Sequence, residues 1–366
     1  MYIYQIIKWP KFEWDDLLLS AKQGDIRQNM GMIFGQMKTA GFKQREEALL
    51  KTLTLDVTKS SAIEGEILDK EQVRSSIARR LRLKVAGMVP TNRRVDGAVE
   101  MMLDATQHFN KTLTINRLYS WHSSLFQSES NNTHKIIVCS WRDDETGPMQ
   151  VVSGPLGMEQ VHFQAPEAKV VPREMKIFLT WFNKELLLDP VIKAAIAHLW
   201  FVTIHPFDDG NGRITRAITD MQLAKADKSA LRFYSMSAQI EKERKVYYEI
   251  LEKTQKGTLD ITEWLLWFLD CLGRSLDNTG DVLEKISTRS HFWNVHSSIP
   301  LNSRQKTMTD MLLDDFFGNL NVSKWAKITK SSTDTALRDI RDLIYKGILE
   351  QNEGGGRNTN YKLKLP

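Results

Sequence analysis

The chain has 366 residues, 42% of them apolar and 26% charged, with 50 basic against 45 acidic side chains and a net charge of +5. That composition supports two or three globular domains with full cores and excludes a disordered, collagen-like or disulfide-stapled chain. The mild basicity, with a pI near 9.0, permits a nucleic-acid partner without identifying one.

In chain order, the first segment, MYIYQIIKWPKFEW, carries a short apolar run broken at Trp9-Pro10 and lacks the layout of a signal peptide. Residues 12–85 place apolar and charged residues at a helical period, with Phe34, Met37, Leu49, Leu50 and Leu53 available as inward stripes. No strand-like alternation occurs there, so the N-terminal region, 1–90, is expected to be helical. Its basic run, Arg79-Arg80-Leu81-Arg82-Leu83-Lys84, reads as a solvated helix end, where cations meet the negative end of the helix dipole. After a loose stretch around Pro90, a helix is expected from Val95 to about Asn110.

From 130 to 172 the character changes. Gly147-Pro148 and Gly154-Pro155 are turn signals, and Gln150–Ser153 and Gln160–Phe163 read as the two short strands of a hairpin. Helical spacing returns at Met175–Phe182, Val191–Thr203, Ile214–Ala226, Ile240–Gln255 and Ile261–Ser275. The mixed stretch Asp277–Asn302 reads as a further, linking helix over 277–300, with Pro300 at the boundary. No stretch approaches the ~20 apolar residues that span a bilayer. Cys139 and Cys271 lie far apart and lack metal-site spacing. The expectation is a cytoplasmic protein with reduced thiols and no membrane contact.

Residues 301–366 read as a separate module. Helices at Gln305–Phe317, Val322–Lys327 and Asp334–Lys346 precede two strands, Ile348–Gln351 and Tyr361–Leu365, around a glycine-rich turn at 352–360. Ser332 or Thr333 caps the third helix, and Leu337, Ile340 and Ile344 form its inward stripe. The layout resembles a winged helix-turn-helix. On that resemblance Lys330, Thr335, Arg338 and Arg341 would face a DNA major groove, with Arg357 in the wing. Asp334, Asp339 and Asp342 share the same helix, and eleven basic against eight acidic residues over 304–364 make a modest footprint. DNA contact and protein docking therefore both stand.

The densest chemistry lies in His205-Pro206-Phe207-Asp208-Asp209-Gly210-Asn211-Gly212-Arg213-Ile214-Thr215-Arg216. An apolar segment precedes it and a helix follows. Glycines let a backbone approach a ligand closely, and amides at a helix N-terminus favour anions. Arg213 and Arg216, three apart, share a helix face and present forked donors suited to phosphate. A nearby Asp suits magnesium, which takes carboxylate, water and phosphate oxygens. His205 is a general base at neutral pH. The residues together read as a magnesium-nucleotide site with a base beside it.

This string resembles, at every fixed position, the signature H-x-F-x-[DE]-G-N-G-R-x-x-R of Fic proteins. GPMQVV and VHFQAP before it resemble the Fic flap, and Ser237–Ile240, Tyr247-Tyr248 and Asp260–Trp264 resemble family features after it, so that the likeness covers about 95–275. It implies a mostly α fold, with a Fic-type helical core over 91–276 and a β-hairpin flap at about 148–164. Fic enzymes mostly transfer AMP from ATP to a Tyr, Thr or Ser hydroxyl of a protein. On the resemblance, His205 would deprotonate that hydroxyl and Phe207 would anchor the loop. Asp209 would hold Mg²⁺, and Gly210, Asn211 and Gly212 would form the anion hole. Arg213 would orient the β-phosphate and Arg216 the γ-phosphate. Tyr247 and Tyr248 would line the adenine pocket; ordinary helix packing is their other reading. The target, another protein or the chain itself, would add a strand to the flap edge, and a homodimer is compatible with this layout.

The segment Thr58–Glu66 contains Ser60 and Glu64 on one helix face with Gly65 at its end. It resembles the Fic inhibitory motif [ST]-x-x-x-E-[GN], in which the glutamate pairs with the second motif arginine, here Arg216. Such a pair would take the partner of the γ-phosphate and autoinhibit the enzyme from an inhibitory helix at about 58–65. The alternatives are a nucleotide-sensing, DNA-binding regulator that transfers nothing, and an enzyme whose Glu64 positions water to remove AMP.

Overall fold

The computed structural model describes residues 1–83, 87–126, 136–145, 147–155, 158, 160–185, 187–313, 316, 318–352 and 359–365, with the backbone alone at 39, 281, 282, 284–287 and 290. It is mostly helical. The described chain divides into two compact units, one of Met1–Thr39 with Arg45–Thr279, the other of Ala40–Gln44 with Gly280–Pro366.

The first unit begins with three helices, α1 (Asp16–Thr39), α2 (Phe42–Ile63) and α3 (Lys70–Arg80). Met37, Leu49, Leu50 and Leu53 are buried as their spacing requires. Asp69 caps α3 by accepting from the Gln72 amide, the cap that an orphan first-turn amide needs. The basic end of α3 is exposed but not idle. Arg79 reaches Thr91 and Arg80 reaches the carbonyl of Asp96.

Helix α4 (Arg93–Gln107) is capped by Asn92, close to its expected place. Helix α5 (Ile115–Phe126) was not foreseen. Its buried face mixes Leu118, Trp121 and Leu125 with His122 and Ser124, so polar residues interrupt the apolar period that betrays a helix. The hairpin follows as β1 (Gln150–Ser153) and β2 (Gln160–Gln164). Val151 pairs with Phe163 and Val152 with Val161, which leaves His162 as the extra residue of a β-bulge.

The centre of the unit is a helix pair, α7 (Pro190–Ile204) and α8 (Asn211–Asp227), flanked by α6 (Val171–Asn183). Helix α7 is buried nearly all round, as an apolar helix without a polar face must be. Pro190 occupies its first turn and Asp189 accepts from Val191 and Ile192, a start assembled from a preset φ and a satisfied amide.

Two helix expectations are corrected. Ile240–Gln255 is two helices, α9 (Met236–Lys242) and α10 (Arg244–Gln255). The break falls at Glu243, whose amide is shared between the Gln239 and Ile240 carbonyls while its carboxylate is held by Arg274. The separate helices Ile261–Ser275 and 277–300 are one, α11 (Thr262–Val295). No proline interrupts it, and Gly273 is tolerated because a side chain there would press on Ile26, 3.3 Å from its Cβ position.

The second unit holds α12 (Ser303–Leu313), α13 (Val322–Thr329), α14 (Thr333–Tyr345), β3 (Leu349–Gln351) and β4 (Tyr361–Leu363). Phe292, Met308, Trp325, Ile340, Leu343 and Ile348 form its core. Ser332 caps α14. Cys139 is exposed, Cys271 is buried, and both are free. Among the described residues, no helix is long and apolar enough to cross a membrane.

Candidate active site

Helix α7 ends at His205, which takes a left-handed conformation (φ 51°, ψ 59°) and turns the chain out of the helix. Its Nδ1 lies 3.3 Å from the Val202 carbonyl. A carbonyl only accepts, so Nδ1 carries the proton and Nε2 is left with its lone pair. Burial pushes the imidazole down to about 4, assisted by the Arg142 cation, while the Val202 carbonyl, Glu64 and Asp209 pull the other way. His205 is therefore a neutral base throughout the physiological range.

The loop after His205 is held from both sides. Phe207 is fully buried and stacks on His122, ring centroids 4.3 Å apart and 12° from parallel. Asn211 accepts from the Phe207 amide at 3.0 Å and donates to its carbonyl at 2.7 Å. Its side chain thus clamps the loop, leaving only its backbone amide for an anion. Gly210, at φ 78°, supplies the left-handed turn that opens α8. The first-turn amides of α8 lack intrahelical acceptors by construction and carry the positive end of the helix dipole.

Both motif arginines are buried. Arg216 donates from Nε to Ser60 Oγ at 2.8 Å and from Nη2 to the Ser60 carbonyl at 2.7 Å. Its Nη1 stands 2.9 Å from Glu64 Oε1. Arg213 Nη1 donates to Glu66 Oε2 at 2.7 Å, and its Nη2 is 3.5 Å from Asp209 Oδ1. Apart from Asp209, the carboxylates on both arginines come from one segment, residues 64–66. Helix α2 ends at Ile63, so Glu64 sits in the turn just past the helix, a correction to its expected place on the helix face. Gly65, at φ 82°, completes that turn.

A cavity of about 770 Å³ opens between these elements, lined by His205, Gly212, Glu64, Val151, Tyr247 and Tyr248, among others, within the size range of small-molecule sites. Tyr247 is buried with its hydroxyl 2.9 Å from His198 Nε2, so it both packs and lines. Tyr248 is partly exposed, its hydroxyl 3.5 Å from the Ile63 carbonyl.

Asp209 is exposed beside the α8 N-terminus. Among the described residues no cluster of three or more His, Cys, Asp or Glu is placed to hold a metal. Magnesium carried by a nucleotide needs less, because phosphates and water fill most of its positions. One exposed carboxylate next to anion-seeking amides fits that requirement.

Sequence reasoning missed several residues here. Arg142, buried, donates to the His205 carbonyl at 2.8 Å and to Asp144 at 2.9 Å, and reaches the Pro166 carbonyl just beyond β2. It ties the base to the flap. His162 joins Ser153 Oγ at 2.6 Å to Glu252 Oε2 at 2.7 Å. Glu66 lies two residues beyond the motif glutamate. None belongs to a spaced motif; the extra residue in the VHF strand was the single available signal for His162. Arg357 falls outside the described residues. Lys330, Arg338 and Arg341 are exposed in the second unit, Arg338 and Arg341 on α14 and Lys330 at the end of α13, and Thr335 is half-buried on α14.

The Fic/DOC family profile matches residues 112–223, and a domain of unknown function, DUF4172, matches residues 2–83. Relatives include a protein adenylyltransferase Fic of Culex quinquefasciatus, 36% identical over 105 residues, which are 28% of this chain and 19% of that protein. The protein adenylyltransferase fic-1 of Caenorhabditis elegans is 27% identical over 179 residues, 48% of this chain and 32% of that one. The chain thus spans a fifth to a third of the length of these relatives. In fold it is similar to a Fic family protein from Desulfovibrio desulfuricans, with a TM-score of 0.52, 18% identity and coverage of 94% of this chain and 96% of that one. A Fic-domain signaling protein from Bacteroides thetaiotaomicron gives a TM-score of 0.51 at 20% identity, covering 70% and 97%. The loop between α7 and α8 lies inside the matched segment, so the chain carries a Fic/DOC domain over residues 112–223, preceded by a DUF4172 domain over residues 2–83.

Proposed function

We propose that the protein is an adenylyltransferase that moves AMP from ATP to a Tyr, Thr or Ser hydroxyl of a protein, and that Glu64 holds it inactive. The observation that carries this reading is the pairing of a neutral, deprotonated His205 Nε2 with the α8 amides across one cavity. The triphosphate lies along those amides, with Arg213 on the β-phosphate and Arg216 on the γ-phosphate. Asp209 would hold Mg²⁺, which neutralises phosphate charge when bound. The flap edge receives the acceptor as an added strand. His205 Nε2 takes the hydroxyl proton as the oxygen attacks the α-phosphorus in line. The bond to the bridging oxygen breaks, pyrophosphate leaves, and the imidazolium returns its proton to solvent. Positioning and charge supply most of the rate in such transfers.

Glu64 opposes this in two ways. It sits against Arg216 Nη1, the guanidinium end not already held by Ser60, and so takes a contact that the γ-phosphate would need. It also sets a negative charge where phosphate belongs. Incubation with ATP labelled at the α-phosphate tests the reading. Label on protein that increases in Glu64→Gly and vanishes in His205→Ala is expected. Absence of label from wild type and Glu64→Gly alike rejects transfer, and loss of label from pre-modified protein in a Glu64-dependent manner would favour AMP removal instead.

A DNA contact through the second unit is a separate reading, favoured by how α14 sorts its charges. Asp339 is bound by Arg304 and Asn302, and Asp342 by Lys346 and Gln305. Two of the three acids are thereby neutralised, while Lys330, Arg338 and Arg341 face solvent. Fluorescence anisotropy of the full chain with duplex DNA across a salt series tests it. Affinity that falls with salt and with Arg338→Glu supports the contact; no binding at low salt rejects it.

A further inference from the structure

We propose that Glu66 is a positioning residue for Arg213, distinct in role from the brake two residues before it. The inference rests on the assignment of Arg213 to the β-phosphate and extends it to the side chain that aims this arginine.

Gly65 reverses the chain after α2, and the Glu66 amide donates back to the Ser61 carbonyl at 3.0 Å, so the Glu66 backbone is fixed. Its carboxylate is 9% exposed and lies between two guanidiniums. Oε2 accepts from Arg213 Nη1 at 2.7 Å, and Oε1 forms an ion pair with Arg94 Nε. Arg213, 8% exposed, lies over the Phe126 ring with its guanidinium carbon 5.1 Å from the ring centre. One edge of the fork is thus fixed by a charge-assisted bond and one face by an aromatic ring. The Nη2 end points toward Asp209 at 3.5 Å, and Nε, buried, has no hydrogen-bond partner. The guanidinium has donors to give and a fixed orientation in which to give them.

The two glutamates differ in where they stand. Glu64 lines the cavity, and its Oε1 lies where a Gly212 side chain would be. Neither Glu66 nor the Arg213 side chain it holds lines the cavity, while Gly212, the residue before Arg213, does. A carboxylate on one edge of the arginine, outside the cavity and shared with a second cation, orients the fork without occupying the cavity that Glu64 enters. A rotamer-rich arginine held in its working geometry before the ligand arrives loses less entropy on binding it.

The test is nucleotide affinity rather than turnover, so it stands whether or not AMP is transferred. Calorimetric titration of ATP, ADP and AMP with magnesium is made into Glu64→Gly and into Glu64→Gly carrying Glu66→Gln or Glu66→Asp. The proposal expects Glu66→Gln to weaken ATP and ADP about tenfold, the range of one lost charged contact, while AMP, which lacks a β-phosphate, stays within about twofold. Glu66→Asp should fall between. Tighter ADP in Glu66→Gln would make Glu66 a second brake and overturn the proposal. Equal weakening of AMP and ADP would make its role merely structural, and unchanged affinities, or a parent that binds no ADP, would overturn it too. Label transfer in the Glu64→Gly parent, measured alongside, reports separately on the adenylyltransferase reading.

Discussion

Gly212 is the surface against which Glu64 rests: a Cβ at position 212 would come 1.9 Å from Glu64 Oε1 and 2.8 Å from its Cδ. The absent side chain therefore has two users. The carboxylate occupies the space here, and on the proposed reading a phosphate would have to pass through the same space during transfer. Two substitutions that both displace the carboxylate should then differ in outcome. Glu64→Gly frees Arg216 Nη1 and clears the approach, and should raise α-phosphate label transfer at least about tenfold, the scale of one charged contact to a buried arginine. Gly212→Ala evicts Glu64 but leaves a methyl in the path, and should keep transfer at or below the wild-type level. Both are read by autoradiography of labelled protein; activation by Gly212→Ala would mean that displacing the carboxylate suffices and that a methyl at 212 does not block the phosphate.

The pH dependence of transfer should not be that of an ordinary histidine. His205 is pushed down to about 4, chiefly by burial, and Glu64 is one of the charges that pull it back up. Removing Glu64 takes away a stabiliser of the imidazolium, so the folded value drops further. In Glu64→Gly, the acid limb of kcat/KM should therefore lie near or below pH 4, with a flat profile from about pH 5 to 8. A limb near the ordinary 6.5 would show His205 solvated in the working enzyme. The same depression has a stability sign. Between about 4 and 6.5 the unfolded chain binds a proton at this site that the folded chain refuses, so the His205 contribution to stability is lost as pH falls through that window.

Asp56 carries the opposite sign. It is buried one turn before Ser60 on α2, where Ser235 Oγ donates to it, and Asp220 lies close by in a pair with Arg232. Burial, then the Asp220 charge, push Asp56 up to about 8, against the pull of Arg232 and the Ser235 hydroxyl. The folded chain thus keeps a proton that the unfolded chain releases above about 3.8. Stability is lost from this site as pH rises from there toward 8, and no further above it. Asp56→Asn, which presents the neutral form permanently, should raise Tm by several degrees at pH 7 and flatten the decline between pH 5 and 8. Calorimetric melts of the two proteins across that range check it. A lower Tm at pH 7 would mean that Asp56 is ionised and its charge is used.

The motif loop was legible because its chemistry is written in adjacent residues: His205, Gly210, Gly212, Arg213 and Arg216 read directly as a base and an anion cradle. The hairpin was legible because Gly-Pro turns bracket alternating residues. What sequence could not show is contact across the fold. Arg142 reaches His205 from 63 positions away and Glu66 reaches Arg213 from 147, and neither carries a periodic or spaced signal. Helix α5 was hidden because His122 and Ser124 face inward with the apolar residues. The break between α9 and α10 was hidden because Glu243 is itself a good helix former, and only its bonds to Arg274 and the shared amide mark the place.

Among the described residues, a polar contact between His162 and Glu252 should help hold the flap to α10. His162 is the bulged residue of β2, and a bulge re-aims its side chain. Here it is aimed so that Nε2 meets Ser153 of β1 and Nδ1 meets Glu252 of α10. Two other hydrogen bonds from the flap region, Arg142 to the Pro166 carbonyl and Tyr4 to the Ala165 carbonyl at 3.4 Å, act past the end of β2. Within β2 the buried Phe163 packs edge-on against Tyr2 and Tyr4, so His162 and Glu252 supply the polar part of the hold on the strands. His162→Ala and Glu252→Ala should therefore each speed amide exchange within 150–164 about fivefold, the equivalent of about 1 kcal/mol for a partly exposed hydrogen bond, without lowering Tm appreciably. Because both remove the same contact, the double variant should be no faster than either single one. Hydrogen–deuterium exchange by mass spectrometry gives the comparison directly, and additive effects, or flap exchange that does not change, would show the hairpin held by its own ladder rather than by α10.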